Sequence, residues 1–403
     1  MFTQIFQSIQ SLILAVIMLF IQSTTCFYAP AADEVAALKE KTDGFIFGIC
    51  HPKDGEYDHI QDIGFSWVRI DIPYPFKADG SLSSSYLKFK KRCKNYTEHG
   101  MKVMAITPYP KDYVNIGGFY PTDEEHQQKT KEIAVFLIND LREVIDGIQV
   151  SNELGGGSST YPLTEEESAL FIGIQLEVLN DIKGDIIVGY NTAGEKYEFH
   201  QMLKPYVSYC DYVGLDMYYD DVYEYIKTMR KIYRLTRRPI LIQEFGRTSA
   251  GRPKTQEEKI EILQQYGYQT EEEARADIVN LVSKLPTTFQ DKIKQRSPDP
   301  SGWSEAVFEK WSNHFYRQSK YRTATPQEQA EYFAKVMPVL LEEPYLAGMM
   351  VYCYRDTSLC YFCRLEGCPE EISYGLTDIE GNPKPACDVI QKVIADYNSS
   401  QTN

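Results

Sequence analysis

Eight short apolar or β-branched runs punctuate this chain, and most are followed by a stretch of helical periodicity. Residues 45–50, 67–72, 102–107, 147–151, 186–190, 212–217, 239–243 and 348–354 read as strands. Between them, 84–99, 124–144, 165–183, 195–206 and 222–235 read as helices. Repeated strand–helix units predict a parallel sheet with helices outside it, and eight of them predict a closed (β/α)8 TIM barrel. The competing open, doubly wound sheet calls for a Gly-rich phosphate turn after an early strand. None stands there: Gly155-Gly156-Gly157 leads into Ser158-Ser159 and reads as a loop.

The regular spacing fails once. Residues 248–322 form a long charged segment between the seventh strand and the helix at 326–342. It reads as a helical insertion between strand 7 and helix 7. Loops at that end of a barrel carry the active site, so the insertion is expected to wall a cleft. Phe308, Trp311 and Phe315 recur in it at helical spacing, which favours packing inside the insertion over contact with a ligand.

The 403 residues allow one barrel-sized domain, placed here at 44–396, with the insertion inside it. A net charge of -15 argues against nucleic acid and against an anionic membrane surface, both of which reward clustered Lys and Arg. Leu12 to Ile21 are uninterrupted apolar, and Ser23, Thr24, Thr25 and Cys26 follow, so residues 1–26 read as a signal peptide and the protein as secreted. A membrane partner is expected only if that segment is not cleaved. Beyond Cys26 an even number of cysteines remains: Cys50, Cys93, Cys210, Cys353, Cys360, Cys363, Cys368 and Cys387. In an exported chain that count suggests disulfides of unreadable connectivity, although Cys353, Cys360, Cys363 and Cys368 also have the look of a zinc site. Asn95-Tyr96-Thr97 and Asn398-Ser399-Ser400 are glycosylation sequons, expected on a surface loop and a tail.

Two carboxylates stand at strand ends. Glu153 follows the fourth run in Gly147-Ile148-Gln149-Val150-Ser151-Asn152-Glu153, and Glu244 follows the seventh in Ile240-Leu241-Ile242-Gln243-Glu244-Phe245-Gly246. In a parallel barrel every strand opens on one face, so the two acids converge despite their separation in sequence. A pair of carboxyl groups flanking one bond is what glycosidic hydrolysis requires.

Ser151-Asn152-Glu153 and Ile242-Gln243-Glu244-Phe245-Gly246 resemble the strand-four and strand-seven signatures of glycoside hydrolase clan A. Trp67-Val68-Arg69-Ile70, Asp216-Met217-Tyr218, Gly375-Leu376-Thr377-Asp378 and Gly381-Asn382-Pro383-Lys384-Pro385 support the match, which is similar to families 5 and 39 without settling on either. The resemblance implies a retaining β-glycosidase acting on a β-linked glucan or mannan, with a polysaccharide or oligosaccharide partner and no cofactor or metal. It implies that Glu153 is the general acid and then base, and that Glu244 is the nucleophile. Arg69 would match the clan arginine that hydrogen-bonds the nucleophile, its alternative being an ion pair with Asp71. Asn152 would bind the sugar 2-hydroxyl. Tyr218 would contact the nucleophile, with Tyr219 as the one-register alternative.

Two positions depart from the family pattern. Strand eight of the clan usually supplies a tryptophan as the floor of the sugar site, and this chain offers Tyr352 and Tyr354, with Tyr354 the candidate. Strand three lacks the family histidine, and His51 after strand one is the nearest substitute. No His-Glu-x-x-His, phosphate loop or Gly-x-Ser-x-Gly elbow is present. A carbohydrate-binding barrel without catalysis and a surface adhesion protein remain the alternatives.

Overall fold

The computed structural model describes residues 33–401 apart from 117–120, 157–158, 161, 251–254, 317–323 and 369–370. The segment read as a signal peptide lies outside the described residues. Eight strands pair in sequence order, all parallel, into a closed barrel. They are β1 (Ile46–Cys50), β2 (Trp67–Asp71), β3 (Lys102–Ile106), β4 (Gly147–Val150), β5 (Ile187–Ala193), β6 (Tyr212–Asp216), β7 (Ile240–Phe245) and β8 (Leu346–Val351). The residues of β1, β4, β6, β7 and β8 are all buried, as expected of strands covered by helices outside and side chains inside.

The barrel helices are α1 (Tyr57–Asp62), α2 (Ser84–Glu98), α3 (Glu124–Leu141), α4 (Glu165–Ile182), α5 (Tyr197–Leu203), α6 (Val222–Thr236), α7 (Pro326–Leu341) and α8 (Pro385–Gln401). Their starts follow capping chemistry. Asp123 accepts the backbone N–H groups of Glu125 and His126, Thr164 and Glu167 close a capping box, and Thr325 caps α7 with Pro326 in its first turn. The helix expected over 195–206 is shorter, because Pro205 supplies no N–H and the chain tightens there into a 3-10 turn, Lys204–Tyr209. The sequon asparagines Asn95 and Asn398 lie on α2 and α8 rather than on a loop and a tail. No described helix is long and apolar enough to cross a membrane.

Between β7 and α7 lie the short helices Gln256–Gln265, Glu271–Ala276, Ile278–Lys284 and Thr287–Arg296, followed by irregular turns. They enclose an apolar cluster separate from the barrel core, which includes Leu263, Leu281, Phe289, Trp303, Phe308 and Phe315. Trp311 packs on the edge of this cluster against Phe362 at 5.5 Å. The same cluster contains Cys360, Cys363 and Cys368 from the loop after β8, so two barrel loops share one core. No disulfide joins the described cysteines. The expected disulfide framework is not shown: all eight described thiols are buried, with no sulfur pair at disulfide distance.

Candidate active site

Glu153 and Glu244 meet at the mouth of the barrel. One carboxylate oxygen from each, with one from Asp216, lie within 4.8 Å of one another. β7 makes this possible by taking an extra residue. Ile242 pairs with Leu215, but the next β6 residue, Asp216, pairs with Glu244. In a regular strand neighbours point to opposite faces. The bulge lets both Gln243 and Glu244 serve the interior. Gln243 donates to the Tyr212 hydroxyl at 3.2 Å, while Glu244 receives Arg69 and Tyr218.

Arg69, buried on β2, organises the cluster. Its Nη1 donates to Glu244 Oε1 at 2.6 Å, its Nε to Gln149 Oε1 at 2.7 Å, and its Nη2 to Asn152 Oδ1. The same Nη2 lies 3.9 Å from Asp216 Oδ2. The ion-pair partner of Arg69 is thus Glu244 and not Asp71, whose carboxylate instead accepts the Tyr109 hydroxyl. Tyr218 donates to the other Glu244 oxygen, Oε2, at 2.6 Å, whereas Tyr219 turns away towards Thr228.

Glu153 sits on a backbone in the left-handed region, φ 52°, two residues after Ser151 at φ 54°. The turn is held from both sides. Ser151 N–H donates to Thr107 Oγ1 at 2.9 Å, and Glu153 N–H donates to Asn191 Oδ1 at 2.9 Å. Asn191 then gives its Nδ2 to Asn152 Oδ1 and to Asp216 Oδ2, at 2.9 and 2.8 Å. With Gln149 Nε2 also donating at 2.9 Å, Asn152 Oδ1 is fully engaged. That fixes which end of the amide can serve a ligand: Nδ2, which has no partner among the described residues.

Burial, reinforced by the charge of Glu244, pushes the Glu153 carboxyl up to about 7. Burial and the two neighbouring glutamates likewise push Asp216 well above the ordinary carboxylate range. Asp216 Oδ1 is buried without a partner, which suits a neutral acid better than an ion. With Glu153 and Asp216 protonated, the cluster is the neutral pair Arg69 and Glu244. The three carboxyls place their oxygens close enough to share one cation. Arg69 already balances Glu244, and burial pushes the other two carboxyls up towards their neutral forms, so the donor set does not call for a metal there.

The two sequence candidates outside the cluster divide. His51 stands at the mouth, its ring edge-on to Tyr352 at 5.3 Å and stacked with Tyr361 at 5.5 Å. Tyr354 is corrected: it is buried against the start of α1, with its hydroxyl on His59 Nδ1 at 2.8 Å and Glu56 Oε2 at 3.2 Å. β8 ends at Val351, so strand alternation no longer places Tyr352 and Tyr354 on one face. Tyr352 is the aromatic that reaches the site, edge-on to Tyr218 at 5.9 Å and to Tyr374 at 5.7 Å.

Sequence reasoning missed Gln149, Asn191 and Asp216. The fifth apolar run stops at Tyr190, yet β5 continues through Asn191 and Thr192. The signal was available: a polar residue at the exit of strand five is as placed for the mouth as Glu153 at the exit of strand four.

No family model matches the chain, and no curated protein matches it by sequence. Solved structures do match. A GH5_18 from Bifidobacterium longum subsp. infantis is 14% identical with a TM-score of 0.57, covering 88% of this chain and 79% of that one. A family 39 glycoside hydrolase from the gut symbiont Bacteroides cellulosilyticus WH2 is 13% identical with a TM-score of 0.54, covering 87% of this chain. The match spans 63% of that longer protein, less than two thirds of its length. The GH1 beta-glucosidase from Exiguobacterium antarcticum B7 is 12% identical with a TM-score of 0.53, covering 88% of this chain and 98% of that one. At these identities the likeness establishes the fold, a (β/α)8 barrel of the kind found in these glycoside hydrolases.

Proposed function

We propose that this chain is a secreted retaining β-glycosidase that cleaves a β-linked glucan or mannan by double displacement. The observation that carries the reading is the unlike treatment of two adjacent carboxyls. Glu244 receives a guanidinium and a phenol, one on each oxygen. Glu153, with an oxygen within 4.8 Å of it, is pushed up to about 7. A module that only bound sugar would gain nothing from this asymmetry. A glycosidase needs one acid protonated and its neighbour ionised.

In the first step Glu153 gives its proton to the glycosidic oxygen while a Glu244 oxygen attacks the anomeric carbon, forming a glycosyl ester. Esterification removes the Glu244 charge, and with it the Coulombic contribution that raises Glu153. Glu153, left as a carboxylate by the first step, therefore stays ionised and takes a proton from water, whose oxygen bonds to the anomeric carbon as the ester bond to Glu244 breaks. Asn152 Nδ2 donates to the 2-hydroxyl, and the rings of Tyr218, Tyr352 and Tyr374 form the aromatic wall on which sugar faces rest. The separation supports retention, since inverting enzymes need room for a water, with carboxyls about 6.5–9.5 Å apart. Export rests on the apolar leader alone, because the cysteines lend no disulfides to the argument.

Glu244→Ala should abolish turnover of aryl β-glycosides while circular dichroism stays native. Undiminished turnover, or an inverted anomer in the wild-type product by NMR, would overturn the mechanism.

A further inference from the structure

Away from the carboxylates, four metal-binding side chains converge. His314, from the segment between β7 and α7, and Cys360, Cys363 and Cys368, from the loop after β8, each offer one donor atom, all within 4.8 Å of one another. His314 Nδ1 lies 3.4 Å from Cys360 Sγ and 3.3 Å from Cys368 Sγ. A tetrahedral zinc ion with Zn–S of about 2.3 Å and Zn–N of about 2.0–2.1 Å places such donors about 3.6 Å apart, close to what is found. The sulfurs are not at disulfide distance.

The loop is built to present these thiols. Leu359 and Glu366 form an antiparallel bridge, the N–H of Arg364 donates to the Cys360 carbonyl at 2.9 Å, and Arg364 turns the chain at φ 58°. The Cys-x2-Cys-x4-Cys spacing matches that of thiolate metal loops. All four side chains are buried. Three thiolates around a divalent ion leave one negative charge; Glu371 Oε2 lies 3.8 Å from Cys360 Sγ, and one cation faces the cluster from the other side of a ring. Arg296 lies over Phe362 at 4.0 Å, and Phe362 in turn stacks on the His314 ring at 4.1 Å.

We propose that His314, Cys360, Cys363 and Cys368 bind one structural zinc ion. Thiolates and an imidazole in a closed tetrahedral set favour zinc over harder cations, and with four protein ligands no position is left for catalysis. Binding releases the thiol protons and joins two segments 46 to 54 residues apart in sequence. The metal would therefore pin the insertion to the β8 loop. That loop also carries Tyr361, which stacks on His51 at the barrel mouth, so the ion fixes one wall of the cleft.

The test uses the full chain, produced with zinc in the medium and purified under reducing conditions without chelator. Elemental analysis should find about one zinc per chain. Cobalt(II) exchanged into the site should give the thiolate-to-cobalt charge-transfer band and visible absorption of a tetrahedral centre. Cys363→Ser and Cys368→Ser should lose most of the metal, while Cys210→Ser, remote from the cluster, keeps it. No metal after reconstitution, a cobalt spectrum without thiolate bands, or a disulfide among Cys360, Cys363 and Cys368 in non-reducing peptide maps would each overturn the proposal. The wild-type measurements decide the matter even if the serine variants fail to fold.

Discussion

Replacing Glu153 by glutamine keeps the side-chain shape and removes the ionisable proton. In the folded protein this carboxyl titrates at about 7 against an ordinary value of 4.5. Holding it as a carboxylate above neutral pH therefore costs about 3 kcal/mol of stability. Between those two values the folded chain keeps a proton that the unfolded chain has lost, so stability falls as pH rises through the window. The full cost is present above about 7 and absent below the ordinary value. Glutamine carries no such cost. The stability advantage of Glu153→Gln over wild type should grow from near zero in acid to about 3 kcal/mol at about pH 8, or ~4 °C in melting temperature for a chain of this length. Scanning fluorimetry of both proteins across pH measures it. The wild-type kcat/KM should fall about tenfold per pH unit above its alkaline limb near 7, and the variant should be inactive. A melting-temperature difference that stays constant from acid to alkaline pH would refute the raised titration and, with it, the general-acid assignment.

Other substitutions probe the frame around the pair. Arg69→Met leaves Glu244, Gln149 and Asn152 facing an apolar side chain, and removing one partner of a buried ion pair should cost about 3–5 kcal/mol in urea denaturation. Tyr218→Phe deletes the 2.6 Å bond to Glu244, and kcat should fall about 10- to 100-fold with little change in melting temperature. Gly214→Ala would set a methyl 1.8 Å from Gln243 Oε1 and 2.7 Å from Asn191 Cβ, and should destabilise by about 1–3 kcal/mol, read by urea denaturation.

Much of the site was legible because a parallel barrel turns strand order into spatial order. Knowing that Glu153 ends the fourth strand and Glu244 lies in the seventh was enough to place them together, and the resemblance to the glycosidase clan added Arg69 and Tyr218, which do contact Glu244. The counting breaks where strands end irregularly. It offered Tyr352 and Tyr354 and took Tyr354 as the candidate, but both lie past the end of β8, where strand order no longer says which ring faces the mouth. It stopped β5 at Tyr190 because Asn191 is polar, although that side chain is drawn inward by hydrogen bonds to Glu153, Asn152 and Asp216.

The amino-acid sequence alone determined the barrel, through eight apolar runs alternating with segments of helical periodicity, and nominated the two acids at its mouth. Local patterns carry that much because burial and helix capping act on residues near in sequence. Only the tertiary structure decided the charge states of Glu153 and Asp216, which depend on groups brought close from different strands. It alone decided the fate of the cysteines. The sequence left disulfides and a zinc site through Cys353, Cys360, Cys363 and Cys368 both open; the fold gathers the last three around His314, a residue 46 positions before Cys360 and invisible as a partner until the two loops share a core.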